Sequence, residues 1–175
     1  MIPKQIWQTW KTKDVPEVWK STPPMWQKHM PNWKYTLMTD TDNRAFVAQH
    51  YPYFLATYDA FPYGIQRADA IRACLLHRYG GFYSDLDLYP RKSIEHLFSE
   101  EGDLYLVKSA NFNDYYTNAF MASKPGHPFW LLYIEEMMKP DKLYAVGKHL
   151  LVMMSTGPMA LTRAIKRAKR EGMSL

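Results

Sequence analysis

Apolar residues at Ala68, Ile71, Leu75 and Tyr79 recur every three or four positions, which predicts an amphipathic helix over residues 66–79. Gly80 and Gly81 follow, where glycine commonly ends a helix. Phe82-Tyr83-Ser84-Asp85-Leu86-Asp87 then reads as a strand whose far end carries two acids. Shorter strands are predicted over 2–7, 35–38, 104–107 and 119–122, and helices over 128–138, 143–154 and 159–170. Thr39-Asp40-Thr41-Asp42 offers N-cap residues to a helix running through Arg44, Phe46 and Val47. Pro16, Pro23, Pro24 and Pro31 punctuate a stretch that reads as loop-rich, and 51–63 reads as irregular or helical in pieces. Strands interleaved with helices indicate an α/β layered domain. With no repeat, low-complexity tract or Ser/Gly linker, residues 1–175 read as a single domain.

Composition narrows the classes. A chain of 175 residues, 47% hydrophobic and 22% charged, can hold a core and is not a disordered segment. Aromatic residues reach 15%, enough for pockets that stack bases or sugar rings as well as for packing. The single cysteine, Cys74, excludes an intrachain disulfide. No apolar run reaches the roughly 18–20 residues of a membrane span, and MIPKQIW lacks the apolar core of a signal peptide, so the chain reads as soluble as given. The net charge is +5, but Arg163, Lys166, Arg167, Lys169 and Arg170 against Glu171 supply +4 of it. A nucleic-acid footprint is therefore not expected. The basic C-terminal helix reads as a solvated face, or as one that meets an anionic membrane surface or a phosphorylated partner.

Two Asp-x-Asp triplets carry the candidate chemistry. Asp40 and Asp42 precede a helix, where short acids satisfy free N–H groups. Asp85 and Asp87 follow an apolar strand, whose alternation would point both to one face. Carboxylates held side by side repel unless a cation neutralises them, and Mg²⁺ or Mn²⁺ takes such oxygen ligands while bridging to phosphates. Arg67, Asp69 and Arg72 open the preceding helix; by composition alone they read equally as surface charges. The histidines show no HExxH or CxxC spacing, so a zinc site is not expected.

The run Gln66-Arg67-Ala68-Asp69-Ala70-Ile71-Arg72, then Tyr79-Gly80-Gly81-Phe82-Tyr83-Ser84-Asp85-Leu86-Asp87, resembles the glycosyltransferase sugar-binding region with a DxD motif. It is most similar to glycosyltransferase family 32, with its fungal α-mannosyltransferases acting on N-glycans and on inositol phosphoceramide. Asn118-Ala119-Phe120-Met121-Ala122 and Ser155-Thr156-Gly157-Pro158 agree as well. The resemblance implies a GT-A fold, a Rossmann-like nucleotide-binding sheet with flanking helices. It implies retaining transfer from a nucleotide-sugar donor, with GDP-mannose favoured, held by Mn²⁺ or Mg²⁺. The implied acceptor is a glycan or an inositol-bearing glycolipid, and related eukaryotic enzymes act in the Golgi lumen.

Carried over residue by residue, the resemblance makes Asp87 the direct metal ligand, with Asp85 binding the donor and sharing the metal. Arg67 and Asp69 fall where sugar hydroxyls and phosphate are contacted, which with Asp85 makes them the expected catalytic set. Gln8 and Thr9 fall where base and ribose dock, Asn118 lines the sugar pocket, and Thr156-Gly157-Pro158 lies where acceptor and donor meet. The chain departs from the family at Trp7, often His, at Gly64, often Pro, and at Ala119, often Asp. Related sequences also continue past residue 175 with a His- or Trp-bearing segment near the metal. Either a further segment or a water is thus expected to complete the ligand set. Two alternatives stay open: a UDP-galactose or UDP-N-acetylglucosamine donor, and a catalytically silent sugar-binding module.

Overall fold

The computed structural model describes residues 1–98, 101–109, 115–139 and 147–175. Five strands form one mixed sheet. β1 (Gln5–Thr9) lies between β2 (Lys34–Met38) and β3 (Gly81–Ser84) and runs parallel to both. β5 (Tyr116–Ser123) pairs antiparallel with β3, and β4 (Leu104–Lys108) pairs antiparallel with β5, giving the order β2-β1-β3-β5-β4. The helices are α1 (Thr22–His29), α2 (Asp40–His50), α3 (Pro52–Ala60), α4 (Gly64–Tyr79), α5 (Phe129–Met138), α6 (Lys148–Ser155) and α7 (Pro158–Arg170). The α/β layering expected from the sequence is present. Of the helix expected over 143–154, residues 143–146 lie outside the described residues.

Strand alternation builds a core on each face of the sheet. Trp7, Tyr83 and Met121 point to one side, where α4, α5 and α7 contribute Ile71, Leu75, Tyr133, Leu161 and Ile165. Ile6, Phe82 and Ala122 point to the other, beneath Trp26, Met30 and Trp33. Burial of large apolar side chains at about 25 cal/mol per Å² on both faces is the main force holding the layers together. Among the described residues, no helix is long and apolar enough to cross a membrane.

Three expectations are corrected here. α4 is not an amphipathic surface helix: Ala70, Ala73, Cys74 and Leu76 are buried alongside Ile71 and Leu75, while Tyr79 is exposed. The helix runs through the middle of the packing, with α2, α3 and α5 around it. The loop-rich proline stretch contains α1, because Pro23 and Pro24 occupy a first turn whose N–H groups have no partner in the helix anyway. β3 stops at Ser84, so Asp85 and Asp87 lie beyond the strand in a turn closed by the Leu88 N–H donating to the Asp85 carbonyl, 3.1 Å.

The α4–β3 corner needs glycine. Gly81 has φ +90°, and a Cβ there would sit 2.5 Å from the Gln5 carbonyl oxygen on the adjacent β1. Gly126 also has a positive φ, +74°, but open space around it. Gly81→Ala should therefore lower the unfolding free energy by about 2 kcal/mol or more, and Gly126→Ala by only about 1 kcal/mol. Urea titration measures both; equal losses would mean that the close approach to β1 does not matter.

Candidate functional site

Because β1 and β3 run parallel, Thr9 and Ser84 end at the same edge of the sheet, the edge where open α/β sheets bind ligands. The antiparallel β5 brings its first residues to that edge. Its pairing with β4 jumps between Leu106, opposite Met121, and Val107, opposite Thr117. Asn118, Ala119 and Phe120 consequently face no β4 residue. The Ala119 carbonyl accepts the Asp85 N–H at 2.8 Å, and the Asn118 carbonyl accepts Arg72 Nη1 at 2.7 Å.

Arg72 organises the site. Its Nη2 lies 3.0 Å from Asp69 Oδ1 and 2.9 Å from Asp85 Oδ1, its Nε donates to the Ala68 carbonyl at 3.2 Å, and its guanidinium covers the Tyr83 ring at 4.7 Å. Both Arg72 and Asp69 are buried. Asp69 is saturated from the other side as well: Asn118 Nδ2 donates to Oδ1 at 2.9 Å and Thr156 Oγ1 to Oδ2 at 3.0 Å. Tyr83 donates its hydroxyl to Asp85 Oδ1 at 2.9 Å. Gln8, fully buried, donates Nε2 to the Asp85 carbonyl and accepts the Tyr35 hydroxyl, each at 2.9 Å.

These contacts set the electrostatics. Burial pushes the Asp69 carboxyl up, against the opposing pull of Arg72, Thr156 and Asn118. Asp85 is raised too, first by burial and further by the neighbouring Asp87, with Arg72 and Tyr83 working the other way. Burial disfavours charge on Arg72, yet Asp85, Tyr83 and Asp69 together hold its proton more tightly than usual.

A cleft of about 470 Å³ opens over this network, lined by Thr9, Trp10, Trp19, Asp40, Tyr63, Arg72, Tyr83, Asp85, Asp87 and Lys148 among others. Of the residues expected from the sequence, Thr9, Asp85 and Asp87 line it. Gln8, Asp69 and Asn118 stand behind it as buried supports. Arg67 is not among its lining residues: it donates Nη1 to the Phe61 carbonyl at 2.7 Å and borders a separate hollow with Asp40, Arg44 and Asp59. The arginine that pairs with Asp69 and Asp85 is Arg72.

Other cleft residues were not singled out by sequence. Lys148, the first residue of α6, sits over the Tyr63 ring at 5.1 Å with no carboxylate partner among the described residues. Trp10 and Trp19 meet edge to face at 5.1 Å on one wall, whereas Trp26 and Trp33 are core.

The donor set fits a hard divalent cation. Asp87 is exposed and, among the described residues, no hydrogen bond or ion pair takes its carboxylate. Asp85 Oδ2 receives only a 3.4 Å contact from Arg72. Two acids whose repulsion raises one of them would be relieved by a cation between them. No group of three His, Cys, Asp or Glu side chains converges among the described residues, so the remaining ligands would be diphosphate oxygens and water, as magnesium-type sites commonly arrange.

Residues 16–103 match the family model described as the glycosyltransferase sugar-binding region containing a DXD motif. The chain belongs to this family. It is 39% identical over 173 residues to inositol phosphoceramide mannosyltransferase 2 of Schizosaccharomyces pombe, covering 98% of this chain and 48% of that one. Mannosyl phosphorylinositol ceramide synthase SUR1 of Saccharomyces cerevisiae is 37% identical over 170 residues, 97% of this chain and 43% of that one. The chain therefore spans about half the length of these relatives. Among solved structures, the PaToxG glycosyltransferase superposes with TM-score 0.70 at 15% identity, covering 95% of this chain and 69% of that one. The UDP-bound glycosyltransferase domain from the YGT toxin gives 0.69 at 9% identity, with 98% and 78% covered. The fold is that of GT-A glycosyltransferases, as the family resemblance implied.

Removing the guanidinium in Arg72→Met should cost about 3–5 kcal/mol, because two acids lose their buried partner. The sign with pH follows from linkage. Without Arg72 the folded-state carboxyl pKa values rise further, so the native state binds more protons than the unfolded one above roughly pH 4. The deficit should be largest at neutral pH and shrink as pH falls. Urea midpoints at both pH values test this; a deficit that grows on acidification would contradict the assigned pairing.

Proposed function

We propose that this domain binds a nucleotide sugar together with a divalent cation and transfers mannose from GDP-mannose, with retention, to the inositol-bearing head group of a glycolipid. The observation that carries the reading is the Asp85–Asp87 turn at the carboxyl edge of the sheet: one acid braced by Arg72, the other in the cleft with no partner among the described residues. The mannosyl donor and lipid acceptor rest on the likeness to relatives named inositol phosphoceramide mannosyltransferases. An active transferase is favoured over a silent sugar-binding module because Asp85 and Asp87 share the cleft and can together take the cation that a departing diphosphate needs.

The chain's residues have distinct tasks in this reading. Asp87, helped by Asp85, would hold Mn²⁺ or Mg²⁺ against the donor diphosphate. When bound, that cation supplies electrostatic and Lewis-acid stabilisation for charge growing on the leaving diphosphate. Lys148, with no acid partner among the described residues, adds a protein cation for that charge in the same cleft. Trp10 and Trp19 offer a stacking wall beside Thr9, at the end of β1. Arg72 orients Asp85 and favours its ionised form against burial. Asp69, with both oxygens taken by Arg72, Asn118 and Thr156, is a poor nucleophile. Retention then favours attack from the same face as the departing diphosphate over a covalent intermediate on Asp69.

Calorimetry with GDP-mannose, UDP-galactose and UDP-N-acetylglucosamine, each with Mn²⁺, should show tightest binding for GDP-mannose. Asp87→Ala should lower kcat/KM for mannosyl transfer by at least about a hundredfold while leaving the urea midpoint in place, because its carboxylate holds nothing in the fold. Full activity in EDTA, or tighter binding of either UDP-sugar, would overturn the metal or the donor assignment respectively.

A further inference from the structure

α7 packs Ala160, Leu161, Ala164, Ile165 and Ala168 inward, so its cations fall on the outer side. Some of them are neutralised. Arg167 pairs with Glu135 and Glu171, each at 2.7 Å, while Arg163 and Lys139 both reach Glu136. Lys166, Lys169 and Arg170 are exposed and, among the described residues, have no acid partner. They border a basic hollow of about 500 Å³.

Lys169 also borders a second feature, an apolar groove of about 350 Å³ between α7 and β4. Leu97 and Val107 along it are exposed. Its Val107 and Tyr116 stand at the sheet edge from which Asp85 emerges, since Val107 pairs with Thr117 and the Asp85 N–H bonds to Ala119, two residues further along β5. A basic cluster and an apolar groove thus meet at one residue, and the groove leads toward the cleft edge.

We propose that this α7–β4 face docks on an anionic lipid bilayer. Lys166, Lys169 and Arg170 meet the phosphates, and the exposed apolar side chains enter the interfacial layer. Two chemistries on one surface select the occupant. A phosphorylated peptide would satisfy the cations but gives no reason for the adjoining apolar groove; an apolar protein partner leaves the three cations unanswered. Docking this way would hold the carboxyl edge of the sheet near the surface where a lipid acceptor presents its head group. That purpose rests on the glycolipid reading above, whereas the binding itself does not.

Flotation with vesicles of phosphatidylcholine alone, or of phosphatidylcholine with phosphatidylinositol, measures the binding without any turnover. The protein should float with the anionic vesicles only, and added salt should release it. Lys166→Glu, Lys169→Glu and Arg170→Glu combined should reduce the partition coefficient on the order of a hundredfold. Val107→Asp should weaken it while leaving those three charges in place. Equal partition on neutral and anionic vesicles, no flotation at all, or retention by a phosphopeptide resin without flotation would each overturn the proposal. Loss of mannosyl transfer to a water-soluble inositol acceptor would instead count against the functional reading and leave the docking surface standing.

Discussion

One buried cation holds the site together. Arg72, itself buried, reaches two carboxylates from different elements, a backbone carbonyl of β5 and the face of an aromatic ring. A guanidinium can do this because its planar fork presents several donors in fixed directions; an ammonium could satisfy fewer of the same partners. Desolvation makes such a cluster costly unless every member is matched. Here the matching extends outward: Thr156 and Asn118 complete Asp69, Tyr83 donates to Asp85 Oδ1 and Gln8 holds the Asp85 backbone carbonyl. The turn carrying Asp87 is thereby held on rigid supports, while the Asp87 carboxylate takes no partner among the described residues.

The surrounding fold explains why those partners meet. α4 is buried nearly all round, so Asp69 and Arg72 on its first turns face the sheet and not solvent. The slip between β4 and β5 leaves Asn118 without a β4 partner, and its carbonyl accepts Arg72, while the Ala119 carbonyl carries the β3–β5 register on to the Asp85 N–H. The C-terminal end of α6 then closes the back of the site, with Ser155 accepting from Gln66 at 2.8 Å and Thr156 donating to Asp69. Residues of α4, β3, the turn after it and β5 meet at one arginine, and β1 and the end of α6 support its two acids.

This separates what could be read from the chain and what could not. Element order, the Gly80–Gly81 stop and the DxD acids were legible, because periodicity, turn chemistry and the motif are local signals. Arg72 was not. Its spacing from Asp69 looks like a surface i,i+3 pair, and only packing from α5 and β5 turns it into a buried hub. The end of β3 was misplaced for a similar reason: hydrophobicity continues through Leu86, but pairing with β5 ends at Ser84. The proline-rich α1 escaped because two prolines are tolerated in a first turn, and Lys148 because nothing near it in sequence speaks of a cleft.

The most direct test of the account is the position of the cation in a crystal of the protein grown with GDP and Mn²⁺. An anomalous manganese peak should lie against the Asp87 carboxylate and a diphosphate oxygen, with Arg72 still bound to Asp85. Manganese held away from Asp87, or an Arg72 that has left Asp85 to take the metal's place on the diphosphate, would contradict it.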